Sequence, residues 1–264
     1  MIKGSSMAID KEKIFNLVAH VSKPARYVGG EWNAVVKPDA TVRVGLCFPD
    51  LYEVGMSNNG TQILYSAVNA LKGAACERVF AVERDFEKVL KESGTPLYTL
   101  ETFTPLHELD MVGFNAACEL LYTNILQVLE LGNIPFFAKD RGDSYPLIVI
   151  GGEAVSNPAP LLPFADAVFA GDGEEAIVEI VNLLIEKKTK GLSKDEVLAK
   201  LANIEGVLCS RDVEFTYEGH TLKAIKAPDV YKRVAHNFHG YEATRPVVPS
   251  IRSVQDRVSI QLDR

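Results

Sequence analysis

The sequence predicts an α/β protein with a doubly wound, Rossmann-like parallel sheet and a small C-terminal β extension. Short apolar runs rich in β-branched residues, such as 147–150, are typical of strands buried on both faces. Amphipathic segments alternate with these runs, which indicates right-handed βαβ units. Two runs end in glycine-rich turns, at Gly151-Gly152 and at Gly171-Asp172-Gly173. Open α/β sheets bind ligands at the carboxyl ends of their strands, so these turns mark a candidate ligand edge.

Composition excludes several classes of protein. The chain has 264 residues, 47% of them hydrophobic and 24% charged, which suits a globular protein with a sizeable core. A net charge of −7 argues against broad electrostatic capture of nucleic acid or of an anionic membrane. No apolar run reaches transmembrane length, and the four cysteines are scattered without Cys-x-x-Cys spacing. These features predict a cytoplasmic protein with reduced thiols and no strong nucleic-acid signal.

Residues 1–40 are predicted to form a helix and a linker that pack on the main domain. Asp10 can cap a helix over 10–21 whose apolar residues share one face, and Pro24 follows its end. The paired glycines Gly29 and Gly30 indicate a tight turn. Trp32, the only tryptophan, comes directly after that turn and is expected to plug the segment onto the main domain.

Residues 41–205 are predicted to form the main α/β domain. The run over 42–48 predicts the first strand, and a glycine-containing loop and a helix through residue 71 complete the first unit. Further short apolar runs predict strands at 78–82, 97–100, 111–116, 134–138, 147–150 and 165–170. Amphipathic segments predict helices at 84–92, 119–131, 176–188 and 193–203. Ser193 and Glu196 have the spacing of a capping box at the start of the last helix.

Residues 206–264 are predicted to form a β-hairpin and a linker. Short strands are predicted at 207–209, 213–217 and 221–227, with a hairpin turn at Glu218-Gly219. Prolines interrupt the following stretch. The strand-like run over 257–264 is expected to be the first strand of a further domain.

Seven motifs carry a resemblance to a known family. They are Tyr27-Val-Gly-Gly-Glu31, Phe48-Pro-Asp-Leu-Tyr-Glu-Val-Gly-Met-Ser57, Glu77-Arg-Val-Phe80, Pro96-Leu-Tyr-Thr-Leu-Glu101, Gly151-Gly-Glu153 with Asn157-Pro158, Gly171-Asp-Gly-Glu-Glu175, and Asp256-Arg257. In this order they resemble the cobalamin-binding-like domain that precedes the radical domain in a bacterial family of radical S-adenosylmethionine (SAM) proteins.

The resemblance implies an accessory ligand-binding domain that is not catalytic alone, with cobalamin as the candidate ligand. Its implied partner is the radical SAM domain of the same parent chain. That domain would hold the 4Fe-4S cluster and S-adenosylmethionine in a Cys-x-x-x-Cys-x-x-Cys loop, which this chain lacks. No catalytic and no metal-ligating residue is therefore expected in the chain itself.

Asp50, Tyr52 and Gly55 have the spacing of the Asp-x-His-x-x-Gly motif whose histidine ligates cobalt. Tyrosine, with a pKa near 10, is a poor cobalt ligand at neutral pH, so a corrinoid would sit without a protein ligand or the site has lost it. The paired glycines Gly151 and Gly152 match the place where the family lets the cofactor's nucleotide tail approach the backbone. The resemblance implies these cofactor-binding residues: Asp50, Tyr52, Gly55, Ser57, Asn115, Gly151, Gly152, Glu153, Gly171, Gly173 and Glu174.

Each of these residues has a simpler structural interpretation. Asp50 can cap a turn over which Tyr52 packs, and the segment 151–153 can be an ordinary strand-end turn. Glu174 and Glu175 suit the first turn of a helix, and His236 with His239 has the spacing of a metal pair or of a loop pair. Two other functions also remain open. One is a cofactor-free scaffold that docks the radical domain or its macromolecular substrate, and the other is a free-standing enzyme with a mononucleotide-like ligand.

Overall fold

A six-stranded sheet forms the centre of the computed structural model, which describes residues 8–236 and 243–255. Its strands are β1 (Val42–Phe48), β2 (Ala74–Phe80), β3 (Met111–Asn115), β4 (Leu147–Gly151), β5 (Ala167–Phe169) and β6 (Val207–Cys209). The spatial order is 2-1-3-4-5-6. The first five strands are parallel, and β6 pairs antiparallel with β5. The predicted α/β sheet is confirmed, with one antiparallel strand at its edge.

Helices cover both faces of this sheet. They are α1 (Lys11–Val18), α2 (Tyr52–Gly55), α3 (Asn59–Ala70), α4 (Arg84–Ser93), α5 (Tyr122–Leu131), α6 (Gly173–Lys190) and α7 (Lys194–Leu201). One core contains buried residues of α1, α4 and α5, and the other contains those of α3, α6 and α7. The doubly wound arrangement is therefore confirmed. None of the helices in the described ranges is both long enough and apolar enough to cross a bilayer.

The predicted helix caps are present. The Asp10 carboxylate accepts hydrogen bonds from the N–H groups of Glu12 and Lys13 at the start of α1. Ser193 and Glu196 form the capping box of α7, with both reciprocal hydrogen bonds. These caps satisfy backbone donors that a helix N-terminus leaves without an intrahelical partner.

The C-terminal hairpin consists of β7 (Glu214–Glu218) and β8 (Thr221–Lys226), with Gly219 in the left-handed region at φ 62°. Strand β6, which follows Gly206, belongs to the main sheet. The predicted strand over 257–264 and the Asp256-Arg257 motif lie outside the described residues. The proposed boundaries after residues 40 and 205 stay predictions.

Two predicted strands are wrong. Residues 97–100 are buried but form a loop and not a strand. The Thr99 N–H donates to the Thr104 carbonyl of the same loop. Residues 134–138 do not form a strand either, because Pro135 lacks an N–H to donate to a ladder. Both segments are apolar because Leu97 and Ile134 pack into the hydrophobic core that contains α1, α4 and α5. Burial of apolar side chains therefore does not require a strand.

Candidate functional site

A cleft opens at the point where the strand order reverses. In the order 2-1-3-4-5 this switch point lies between β1 and β3, and ligands bind at its carboxyl edge in doubly wound sheets. The cleft lies between the sheet and helices α3 and α6, and its volume is about 320 Å³. That volume is at the low end of the range for small-molecule pockets, about 300–1,000 Å³.

The floor of the cleft is apolar. The sheet supplies the side chains of Leu46, Met111 and Val149, and α6 supplies Ile177 and Ile180. Gly113 lies in the middle of β3 and has no side chain to fill the space beside them. A Cβ atom there would lie 3.2 Å from the Met111 methyl carbon and 3.8 Å from a Leu46 methyl carbon. The missing side chain thus widens the slot between the sheet and its covering helices.

The amide of Asn115, the last residue of β3, lies at the rim. Its Nδ2 donates to Oδ1 of Asn58 at 3.2 Å, and the same oxygen accepts the N–H of Thr61 at 2.8 Å as the N-cap of α3. Residues Asn59 and Gly60 in the first turn of α3 also line the cleft. The hydrogen bonds therefore hold the end of β3 and the start of α3 together at the rim.

The opposite side of the rim is acidic. Asp172 and Glu174 line the cleft at the start of α6, and the carboxylate of Asp172 accepts the N–H of Ala235 at 2.9 Å. No lysine, arginine or histidine is found among the described residues that line the cleft. The first turn of α3, unlike that of α6, contains no acidic residue. A negatively charged group would therefore be accommodated at α3 and repelled at α6.

Two glycines at this edge have conformations that other residues rarely adopt. Gly152 has φ +105°, and a Cβ there would lie 2.5 Å from the Ala116 carbonyl oxygen. Gly171 has φ +128°, and a Cβ there would lie 2.2 Å from the Arg233 carbonyl oxygen, because residues 171 and 233 pair as a parallel bridge. Gly151 has no such constraint, since its nearest neighbour would be 3.7 Å from a Cβ. Gly171 thus admits the segment around Arg233, whereas a Cβ at Gly151 would make only ordinary contacts with Phe169.

The predicted site residues fall into two groups. Six of them line the cleft: Asn115, Gly151, Gly152, Gly171, Gly173 and Glu174. Five of them are not among its lining residues: Asp50, Tyr52, Gly55, Ser57 and Glu153. Glu153 is exposed at the start of a single 3₁₀ turn over 153–156, and the other four belong to the turn after β1.

In that turn, the Tyr52 side chain is buried and its ring packs edge-on against Phe80. Its hydroxyl accepts the backbone N–H of Ser250 at 2.9 Å. Burial and the nearby Glu31 carboxylate raise the pKa of Tyr52. Gly55 is needed because a Cβ there would lie 2.3 Å from the Phe80 ring. A buried phenol with a raised pKa remains protonated, and this form does not ligate cobalt.

Ser57 and Asp50 also make local contacts in this turn. The Ser57 hydroxyl donates to the Glu53 carbonyl at 2.7 Å, and the Asp50 carboxylate accepts the N–H of Leu51 at 2.7 Å. Both contacts fit the simpler structural interpretation of a capped turn.

A corrinoid fits the described residues only in part. The apolar cleft and the exposed backbone at Gly152 suit a nucleotide tail, whereas a whole corrinoid is larger than the cleft. No histidine lines the cleft, and no group of three potential metal ligands occurs in ranges 8–236 and 243–255. His236 lies beside Glu175, with 3.4 Å between Nδ1 and a carboxylate oxygen, and His239 lies outside the described residues.

Several cleft residues were not predicted from the sequence. Gly113 had a readable signal, because glycine inside an apolar strand often marks a close approach or a gap. Asn58, which does not line the cleft but bonds to Asn115 at its rim, had another signal, as a cap residue directly before a helix. The apolar floor of the cleft has none, because its side chains are of the same kind as those of the filled core.

A comparison with models of protein families identifies one family that matches the chain. The family model described as the N-terminal region of radical SAM proteins matches residues 60–209. No curated protein matched the chain. No solved structure matched it either. Because the family match spans more than half of the 264 residues, the chain belongs to the family of N-terminal regions of radical SAM proteins.

Proposed function

We propose that this chain is an accessory domain that binds a small, largely uncharged ligand in the switch-point cleft, and that the nucleotide tail of a corrinoid is the candidate ligand. On this proposal its partner is the radical SAM domain of the same parent chain. The 4Fe-4S cluster and S-adenosylmethionine would belong to that partner domain. The observation that carries the proposal is the apolar cleft of about 320 Å³ at the switch point of the sheet.

The charges around the cleft favour a ligand with few negative charges. Asp172 and Glu174 would repel the phosphates of a nucleoside di- or triphosphate at the start of α6. A single phosphodiester has a better position at the first turn of α3, which contains no acidic residue. A corrinoid tail combines one phosphodiester with a flat apolar base, and the base suits the floor formed by Leu46, Met111 and Ile177. These properties favour the tail over a free mononucleotide of higher charge.

Tyr52, at the position of the cobalt-ligating histidine, is buried and hydrogen-bonded to Ser250, so it would not ligate cobalt. When bound, a corrinoid supplies a cobalt centre for group transfer or electron transfer. The contribution of this chain would be to hold the tail. Asn115 could hydrogen-bond a polar group at the rim, and Gly152 would let the ligand approach the backbone closely.

Binding of hydroxocobalamin, with a matched pair of glycine variants, tests this proposal. Gly151→Val fills the cleft from a position that has room for a Cβ. Gly142→Val is the control, because Gly142 has nothing within 4 Å of its Cβ position and does not line the cleft. After gel filtration, we expect the wild type and Gly142→Val to retain the visible spectrum of the corrinoid and Gly151→Val to lose it. Absence of retention by the wild type would rule out the corrinoid.

A cofactor-free scaffold is the second candidate. One observation favours it, namely that Tyr52, at the position of the cobalt-ligating residue, accepts a hydrogen bond from Ser250 of the same chain. Thermal unfolding distinguishes the two functions. A ligand present at 100 times its Kd stabilises the folded state by about 2.7 kcal/mol. If cobalamin, benzimidazole nucleotides and common nucleotides all leave Tm unchanged, the scaffold becomes the better explanation.

A further inference from the structure

We propose that the turn after β1 is a docking site for a peptide segment, and that residues 246–255 of this chain occupy it. We refer to these residues as the strap. The site uses the position at which the cobalamin-binding-like family places its cobalt ligand. It consists of Trp32 and Asn33, the turn over 52–57, and Gln62 of α3.

The turn accepts three backbone N–H groups of the strap. The acceptors are the Tyr52 hydroxyl at 2.9 Å, the Glu53 carbonyl at 3.2 Å and the Ser57 hydroxyl at 3.0 Å. The donors are, in the same order, Ser250, Val254 and Gln255. Two of the three acceptors are side-chain oxygens of residues that the sequence placed in a cofactor site. Their hydrogen bonds to the strap give Tyr52 and Ser57 a role that requires no cofactor.

Helix α3 and the segment after Gly30 hold the other end of the strap. The Gln62 side-chain amide pairs with Val247 in both directions, accepting its N–H at 3.1 Å and donating to its carbonyl at 3.4 Å. The Trp32 carbonyl accepts the N–H of Val248 at 3.0 Å, and the Asn33 amide donates to the Pro246 carbonyl at 2.9 Å. A side-chain amide that pairs with both backbone groups of one residue imitates a strand neighbour.

The contacts define the class of ligand. All of these hydrogen bonds use the backbone of the strap, so they recognise a peptide backbone with little dependence on its sequence. Selectivity would come from Val247, whose side chain is buried in the core beneath α3, and from the partly buried Ile251. The matching ligand is a peptide with branched apolar side chains four residues apart.

The docking site and the cleft have no residue in common. Trp32, Asn33, Tyr52, Glu53, Ser57 and Gln62 are all absent from the described lining of the cleft. The strap can therefore remain docked while a ligand occupies the cleft. Docking also fixes residue 255 beside Ser57, in the turn that follows the carboxyl end of β1. The peptide site and the proposed ligand site can thus be tested separately.

Hydrogen exchange in the full chain tests the docking site. Tyr52→Phe removes the acceptor of the Ser250 N–H and keeps the buried ring, and Gln62→Ala removes the pair with Val247. Tyr98→Phe is the matched control, because Tyr98 is also buried and its hydroxyl bonds to the Tyr27 carbonyl, away from the strap. We expect protection of the peptide covering 246–255 to fall roughly five- to ten-fold in the first two variants and to stay unchanged in the control.

Trypsin provides a second measurement that does not depend on exchange. Cleavage after Arg252 requires the strap to leave the site, so its rate should rise by the same factor in Tyr52→Phe and Gln62→Ala. Two results would overturn the proposal. One is that exchange and cleavage in both variants equal those of the Tyr98→Phe control, and the other is that protection is lost evenly over the whole domain.

Discussion

Replacement of the buried Arg78 by methionine should destabilise the fold more than replacement of a solvent-exposed residue. Arg78 is buried in β2, and its guanidinium bonds to Glu31 at 2.7 Å and to Glu101 at 2.6 Å. Its backbone N–H also donates to the Glu101 carboxylate at 2.6 Å. Burial alone would lower the pKa of Arg78, but the two carboxylates raise it. Arg78→Met leaves both carboxylates inside the protein without their cation.

The magnitude follows from this burial. Removal of one partner from a buried ion pair costs about 3–5 kcal/mol, because the remaining charge stays unpaired in a low dielectric. A domain has a total stability of about 5–15 kcal/mol, so the variant would lose a large share of it. For a chain of this length, the loss corresponds to a decrease in Tm on the order of 10 °C.

Urea unfolding at two pH values, with a compensating variant, provides the assay. Burial already raises the pKa of Glu101, and loss of the arginine would raise it further. A carboxyl group whose pKa is higher in the folded state favours folding at low pH, so the deficit should be smaller at pH 5 than at pH 8. The triple variant with Glu31→Gln and Glu101→Gln should regain most of the stability. A loss below about 1 kcal/mol, or no recovery in the triple variant, would refute the reasoning.

Three further predictions concern single positions. Burial would raise the pKa of Glu53, but hydrogen bonds to Arg26 and Lys23 lower it to about 2. The contribution of Glu53 to the stability of the fold is therefore present above pH 4.5 and is lost as pH falls towards 2. Glu53→Gln should cost on the order of 1–2 kcal/mol of stability at pH 7, after allowance for solvent screening. It should also make the stability less dependent on pH in the acid range. A curve of unchanged slope would contradict this. Gly152→Ala should cost about 1–3 kcal/mol in urea unfolding because of its φ of +105°, whereas Gly142→Ala should be neutral; equal effects would rule out backbone strain. Asn58→Ala removes the cap of α3 and should lower stability by about 1 kcal/mol, measured by thermal unfolding; no change would mean that the cap contributes nothing.

The sequence predicted the parallel strands well where a run is apolar on both faces. β1 was predicted with its observed bounds, because each of its residues except Arg43 is buried. β2 begins at Ala74, four residues before the predicted start at Arg78, and it contains the charged residues Glu77 and Arg78. Both are buried, since Glu77 pairs with Arg43 and Arg78 pairs with two carboxylates. Their partners come from distant segments of the chain, so no local pattern could predict their burial.

The strand-end residues of the candidate site could be predicted from the sequence for a physical reason. Asn115, Gly151 and Gly152 lie at strand ends, and parallel strand ends meet at one edge whatever lies between them in the sequence. The volume of the cleft could not be predicted from the sequence, because it depends on how closely α3 and α6 approach the sheet. Side chains such as Leu64 and Ile177 have the same character in a filled core as in an open one.

The Asp-x-Tyr-x-x-Gly spacing shows why a motif alone is physically ambiguous. Gly55 is required because any side chain would collide with the Phe80 ring, and Tyr52 packs on that same ring. The three-residue interval thus follows from packing both positions of a short helix against one aromatic side chain, with or without a metal above them. The residue at position 52 distinguishes a cobalt site from a turn without a metal. An imidazole in that position could ligate cobalt, whereas the buried phenol of Tyr52 accepts a peptide N–H from Ser250.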